Sequence, residues 1–129
     1  MKFTDPFGID DLRCRIYTVE DTGTVIYVGL AKDSSVGERI AKHMENSISS
    51  KKRSAFARLL RSSHPTYLSW QVSVRTISEC AALVGRELPS LEAAEQATYD
   101  FYKSKLGTHP KGNASRPSGK PRKHRRAAA

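Results

Sequence analysis

Apolar positions along the chain change period at defined points, and those changes mark the elements. From Leu12 to Val19 apolar, aromatic and β-branched residues partly alternate with polar ones, which predicts a strand. Asp21-Thr22-Gly23 predicts a three-residue hairpin loop, with Val25 to Leu30 as the returning strand. If Glu20 pairs with Thr24, Tyr17 falls opposite Tyr27, and both hydroxyls project to one side of the sheet. From Ser35 the period becomes that of a helix, with Val36, Ile40, Met44 and Ile48 recurring every four residues. Ser34 or Ser35 is the expected N-cap, and Glu38 completes a capping-box pattern with Ser35. Arg39 and His43 follow the same spacing along a line beside the apolar stripe, so they leave the helix together.

A second amphipathic segment, Lys51 to Ser62, turns Phe56, Leu59 and Leu60 inward and keeps Lys51, Lys52, Arg53, Arg58 and Arg61 largely outside. Tyr67 to Ile77 reads as a third strand, "SECAALVGRELPS" as a short helix and a turn, and Leu91 to Leu106 as the longest helix, opened by Pro89-Ser90 and stopped by Gly107 and Pro110. The expected fold is therefore α+β, a small three-stranded antiparallel sheet flanked by helices.

Charge divides the chain in two. The net charge is +9, yet residues 1–110 carry 15 basic and 13 acidic side chains, a net of +2. The remaining segment, 111–129, holds Lys111, Arg116, Lys120, Arg122, Lys123, Arg125 and Arg126 and no acid. A folded domain over 1–110 with a basic, disordered tail is the expected organisation, and nucleic acid is the usual partner of such a tail. No apolar run reaches the length of a membrane span, and the first residues lack a secretory pattern. Cys14 and Cys80 have no metal-ligand spacing and are expected to be reduced and buried, which suits a cytoplasmic protein.

Arg15-Ile16-Tyr17, nine residues, then Tyr27-Val28-Gly29 resembles the paired signature of the GIY-YIG nucleases. The likeness continues through "YVGLAKD" into the helix with Arg39 and His43, and through "LEAAEQATYDFYKSKLGTHPKGN" to Asn113. Arg15 stands where that family usually has glycine. The resemblance implies a metal-dependent endonuclease acting on DNA, double-stranded or branched, with Tyr17, Tyr27, Arg39, His43 and Glu95 catalytic. Tyr17 is then the general base, Arg39 the phosphate clamp and Tyr27 a group that holds the water or positions Tyr17. His43 is a relay or a phosphate ligand. Glu95 holds one Mg2+ (or Mn2+), an ion that retains several waters and needs few protein carboxylates. Glu92 is the alternative ligand, and Glu95 is preferred because Tyr99 follows it by one turn. Arg15, Lys51, Lys52, Arg53, Arg58, Arg61, Asn113, Lys120, Arg122, Lys123, Arg125 and Arg126 are the expected nucleic-acid contacts.

Each residue also has a plainer explanation. Tyrosines in hairpins usually pack, cations beside a helical stripe are usually solvated, acids in a first helical turn suit the helix dipole, and an asparagine after a glycine suits a turn. Two other functions share these features: a nucleic-acid-binding module with the same fold but no turnover, and an RNA-directed nuclease.

Overall fold

The computed structural model describes residues 2–3, 13–49 and 54–114. Its elements are β1 (Lys2–Phe3), β2 (Arg15–Asp21), β3 (Thr24–Ala31), α1 (Val36–Ser49), α2 (Ala55–Ser62), a 3-10 turn (Thr66–Ser69), β4 (Gln71–Arg75), α3 (Ile77–Val84) and α4 (Leu91–Leu106). The fold is α+β. β4, β2 and β3 form an antiparallel sheet, and β1 adds two residues in parallel against β4. No described helix is long and apolar enough to cross a membrane.

The helices divide between the two faces of the sheet. α1 and α2 close one face over Tyr17, Val19, Ile26, Tyr27, Phe56, Leu60, Trp70 and Val72. α3 and α4 close the other over Ile16, Val25, Val28, Leu30, Cys80, Leu91, Ala94 and Ala97. Consecutive residues of β2 alternate between the two clusters, as the pleat of a strand buried on both sides requires.

The hairpin differs from the expected one. Its loop is two residues long, Thr22 (φ 52) and Gly23 (φ 81), the left-handed pair of a type I′ turn. Asp21 pairs with Thr24 and Glu20 with Val25, after which Ile26 is an extra residue on β3 and Val19 pairs with Tyr27. Tyr17 consequently faces Gly29 rather than Tyr27. The shorter loop and the bulge each move the register by one place along β3, and a total shift of two preserves the face. Both tyrosines still point toward α1 and α2.

The helix ends follow local chemistry. Ser35 Oγ accepts from the Glu38 amide at 3.1 Å, and the Glu38 carboxylate accepts from the Ser35 amide at 2.8 Å, a capping box. Ser90 caps α4 through the Ala93 amide at 3.0 Å, and Gly107 ends it at φ 79. Along α1, Val36, Ile40, His43 and Ser47 are buried, whereas Ile48, expected in the apolar stripe, is 74% exposed. The third strand is shorter than expected. Tyr67 and Leu68 lie in the 3-10 turn, where the Leu68 amide bonds Pro65 O and the Trp70 amide bonds Tyr67 O. Cys80 is buried as expected, but Cys14 is exposed.

Beyond α4 the chain stays on the folded body for several more residues, although 111–129 reads as tail by charge. The Gly112 amide donates to Ile26 O at 2.6 Å, and Asn113 is buried. A Cβ on Gly112 would lie 2.7 Å from Ile26 O and 2.9 Å from the Phe56 ring, so only glycine allows this approach.

Candidate active site

Tyr17 is placed by β2 and by the residue opposite it. A Cβ on Gly29 would overlap Tyr17 Cζ and lie 2.6 Å from its hydroxyl, so the ring lies across the space a side chain would occupy. Tyr27 sits beside it, with ring centroids 5.8 Å apart and planes tilted by 54°. Tyr27 stacks on Phe56 of α2 at 4.0 Å, almost parallel. His43 of α1 stands edge-on to both rings, at 5.5 Å from Tyr27 and 5.0 Å from Phe56. Its Nε2 is 3.3 Å from the Tyr27 hydroxyl. Arg39, one turn earlier on α1, is half-buried and near enough to bias both Tyr17 and His43 electrostatically.

Glu95 comes from α4, the helix on the opposite face. It is 2% exposed, and its charge also acts on the Tyr17 hydroxyl. Glu92 is different: its carboxylate reaches an exposed ion pair with Lys32 at 3.1 Å, and that hydrogen bond holds its pKa below the usual carboxylate range. Glu95 is thus buried and electrostatically coupled to Tyr17, whereas Glu92 stays at the surface.

Burial decides the protonation states. Tyr17 is fully buried, and desolvation pushes its pKa well above the ordinary 10. Tyr27 and Glu95 push the same way, and the Arg39 cation pulls against them. At neutral pH Tyr17 is a phenol. His43 is held down to about 4, first by burial and then by Arg39, so its imidazole is neutral. It exchanges a hydrogen bond with Tyr27 and carries no charge. Two polar atoms of this group lack a hydrogen-bond partner among the described residues, Tyr17 Oη and Arg39 Nε. Buried orphan groups are costly, and their presence in one cluster marks a place where a polar ligand would satisfy them.

The expected nucleic-acid contacts fall in several places. The Arg15 guanidinium folds back to donate to the Arg13 carbonyl at 2.7 Å, an engagement with its own backbone. Arg58 and Arg61 are exposed on α2, and Arg61 also donates to Ser47 O at 3.2 Å. The Asn113 amide is fully engaged by one residue: its Oδ1 accepts from Val28 N at 2.9 Å and its Nδ2 donates to Val28 O at 3.0 Å. Asn113 thus ties the C-terminal segment to β3, in place of the exposed contact expected for it. Lys51, Lys52, Arg53, Lys120, Arg122, Lys123, Arg125 and Arg126 lie outside the described residues. Sequence reasoning gave no role to Phe56 or Gly112 in shaping the site. For Gly112 the only available signal was a glycine beside the asparagine.

No family model, curated protein or solved structure matches this chain. Among the described residues there is no group of three or more His, Cys, Asp or Glu side chains able to hold a metal ion. One carboxylate with substrate oxygens and waters is nonetheless a donor set that magnesium accepts. The buried Glu95 carboxylate offers the one protein oxygen ligand such a set requires.

Proposed function

We propose that the protein is a metal-dependent endonuclease of the GIY-YIG type that hydrolyses phosphodiester bonds in DNA. The observation that carries this reading is the meeting of Tyr17, Tyr27, Arg39, His43 and Glu95, drawn from both faces of the sheet, around two unpartnered polar groups. Packing alone does not require a carboxylate and a guanidinium beside a buried phenol.

In this reading Arg39 binds a non-bridging phosphate oxygen, and its Nε gains the acceptor it lacks. Tyr17 lies at the floor of the site and holds the attacking water. As a phenol at neutral pH it orients that water; it can accept the water's proton only as the phenolate, after added positive charge has lowered its pKa and its own proton has left to solvent. Tyr27 is fixed by its stack on Phe56 and its bond to neutral His43, and in turn limits where the Tyr17 ring sits. Glu95 would hold Mg2+ or Mn2+, which supplies positive charge beside the phosphate and Tyr17.

The test is cleavage of supercoiled plasmid with and without magnesium by wild type, Tyr17→Phe, Arg39→Ala and Glu95→Gln. Nicking by wild type alone supports the reading, and equal nicking by all four proteins refutes it. The burial of Tyr17 and Glu95 favours a second reading, a module that binds DNA without cutting it. Metal-independent binding without cleavage on duplex, branched and single-stranded substrates would select it, and preferential cleavage of RNA would redirect the assignment. The basic tail is expected to add sequence-independent phosphate contacts. A chain ending after Arg116 lacks five cations, and its log-log salt slope for DNA binding should be shallower by up to about 4.5. An unchanged slope would remove the tail from DNA binding.

A further inference from the structure

The two helices that build the site continue into a groove that the cleavage reading does not use. α1 places His43 in the site and Met44 and Ile48, within the next turn or so, in the groove. α2 likewise places Phe56 against Tyr27, then Leu60 and Arg61 in the groove. The two sites share these walls and lie about one helical turn apart, roughly 5–6 Å along α1. The groove has a volume of about 470 Å³, within the size range of small-ligand sites.

Its lining has a particular composition. Met44, Ile48 and Leu60 supply the apolar surface. At the rim, the rings of His64 and Tyr67 stand edge-to-face at 5.5 Å, and Tyr67 is braced by Trp70 at 6.3 Å. Arg61 adds a cation, with one donor engaged by Ser47 O. Glu45 adds a carboxylate, paired with Lys42 at 3.5 Å on the exposed side of α1. A bare phosphate would gain nothing from the aromatic rim or the apolar floor, and would meet Glu45. A purely apolar ligand would leave Arg61 and Glu45 without a role. A planar heterocycle with donors and acceptors on its edge, linked to a phosphate, matches all four features.

We infer that this groove is a subsite for one unpaired nucleobase flanking the phosphodiester held at Arg39. The base stacks at the Tyr67 and His64 rim, its edge meets Glu45, and its phosphate meets Arg61. This rests on the nucleic-acid reading of the neighbouring site and adds a requirement to it: at least one nucleotide beside the bound phosphate is unpaired.

The probe is a duplex with a short single-stranded extension carrying 2-aminopurine, compared with the same oligonucleotide abasic at that position. Wild type should quench the 2-aminopurine fluorescence and bind the abasic probe about tenfold more weakly, the range that loss of one stacked base produces. Ile48→Trp fills the groove from an exposed position and should abolish the quenching. His64→Ala, also at an exposed position, should weaken it, and both variants should bind blunt duplex like wild type. Tyr67 is avoided because it packs on the core. Equal quenching by wild type and Ile48→Trp, or equal affinity for the abasic probe, overturns the subsite while leaving the nuclease reading intact. Failure of wild type to bind any of these oligonucleotides, with or without magnesium, overturns both. Capture of an apolar peptide by the groove, with no effect of the base, overturns the subsite in favour of a protein partner.

Discussion

The two faces of the sheet are built from different materials. Toward α3 and α4 the core is mainly aliphatic, with Ile16, Val25, Val28, Leu30, Leu91, Ala94 and Ala97. Toward α1 and α2 it is aromatic and polar, with Tyr17, Tyr27, Phe56 and Trp70 around His43 and Arg39. Of the buried polar atoms without a partner among the described residues, Tyr17 Oη, Arg39 Nε and Trp70 Nε1 belong to the aromatic side, and Thr98 Oγ1 belongs to α4. A face selected only for stability would not collect orphan donors beside tyrosines. The contrast separates a mainly aliphatic layer from an aromatic one that holds four of the five candidate residues, with Glu95 of α4 the one contributed from the other side.

Activity gives the sharpest test of that contrast. Arg39→Ala should lower cleavage by about 100- to 1000-fold, the usual effect of removing one preorganised donor from a phosphate or oxyanion site, and should change the melting temperature little because Arg39 is half-buried. Leu91→Ala on the opposite face should do the reverse. It should cost about 2–5 kcal/mol of stability and leave kcat per folded molecule unchanged. Similar losses from both in urea titration and in kinetics would erase the division.

Acid should then attack the aromatic face selectively. His43 has a folded pKa of about 4 against an ordinary value of 6.5. Above 6.5 it is neutral in both states and has no effect. As pH falls from 6.5 toward 4 the unfolded chain takes up a proton that the folded one refuses, so stability is lost by about 3 kcal/mol in total. His43→Gln, which does not titrate, should flatten that part of the stability-pH curve. An unchanged curve would mean that His43 is solvated.

Smaller effects should appear where Tyr17 meets its neighbours. Gly29→Ala puts a methyl into the space of the Tyr17 ring and should cost about 1–3 kcal/mol, with loss of cleavage because the ring must move. Tyr17→Phe should have the opposite effect on stability. Removing a buried hydroxyl that has no partner should raise the unfolding free energy by about 1 kcal/mol while abolishing cleavage. A destabilised Tyr17→Phe would show that the hydroxyl is bonded in solution.

Much of the frame was legible because it depends on local signals. The four-residue stripe, the Ser35/Glu38 box, Ser90 and Gly107 each act within a turn of chain, and the structure uses the capping signals and the stripe at Val36 and Ile40, but not at the exposed Ile48. The α3 start was missed: the third strand was expected to run to Ile77, whereas β4 ends at Arg75 and Thr76 and Glu79 form a capping box that starts the helix at Ile77. The strand expected from Tyr67 failed for a different reason. Aromatic residues suit strands, but Tyr67 and Leu68 were taken by a turn that delivers Trp70 to the core. The five candidate residues were named from their order in the chain. Their packing could not, because it depends on cross-strand register: the bulge at Ile26 decides that Tyr17 faces Gly29. The role of Gly112 was hidden too, since nothing within the tail-like sequence shows what it lies against.

The tie between Asn113 and Val28 has a consequence for handling the protein. β3 is the last strand on its side of the sheet, and Gly112 and Asn113 meet the outward groups of Ile26 and Val28. A chain trimmed after Pro110, where charge alone would place the end of the domain, would leave that strand with open hydrogen-bonding positions. Open outer strands recruit one another. The trimmed protein should self-associate at concentrations where a chain ending after Arg116 stays monodisperse, so a boundary drawn by charge would turn a guarded edge into an adhesive one.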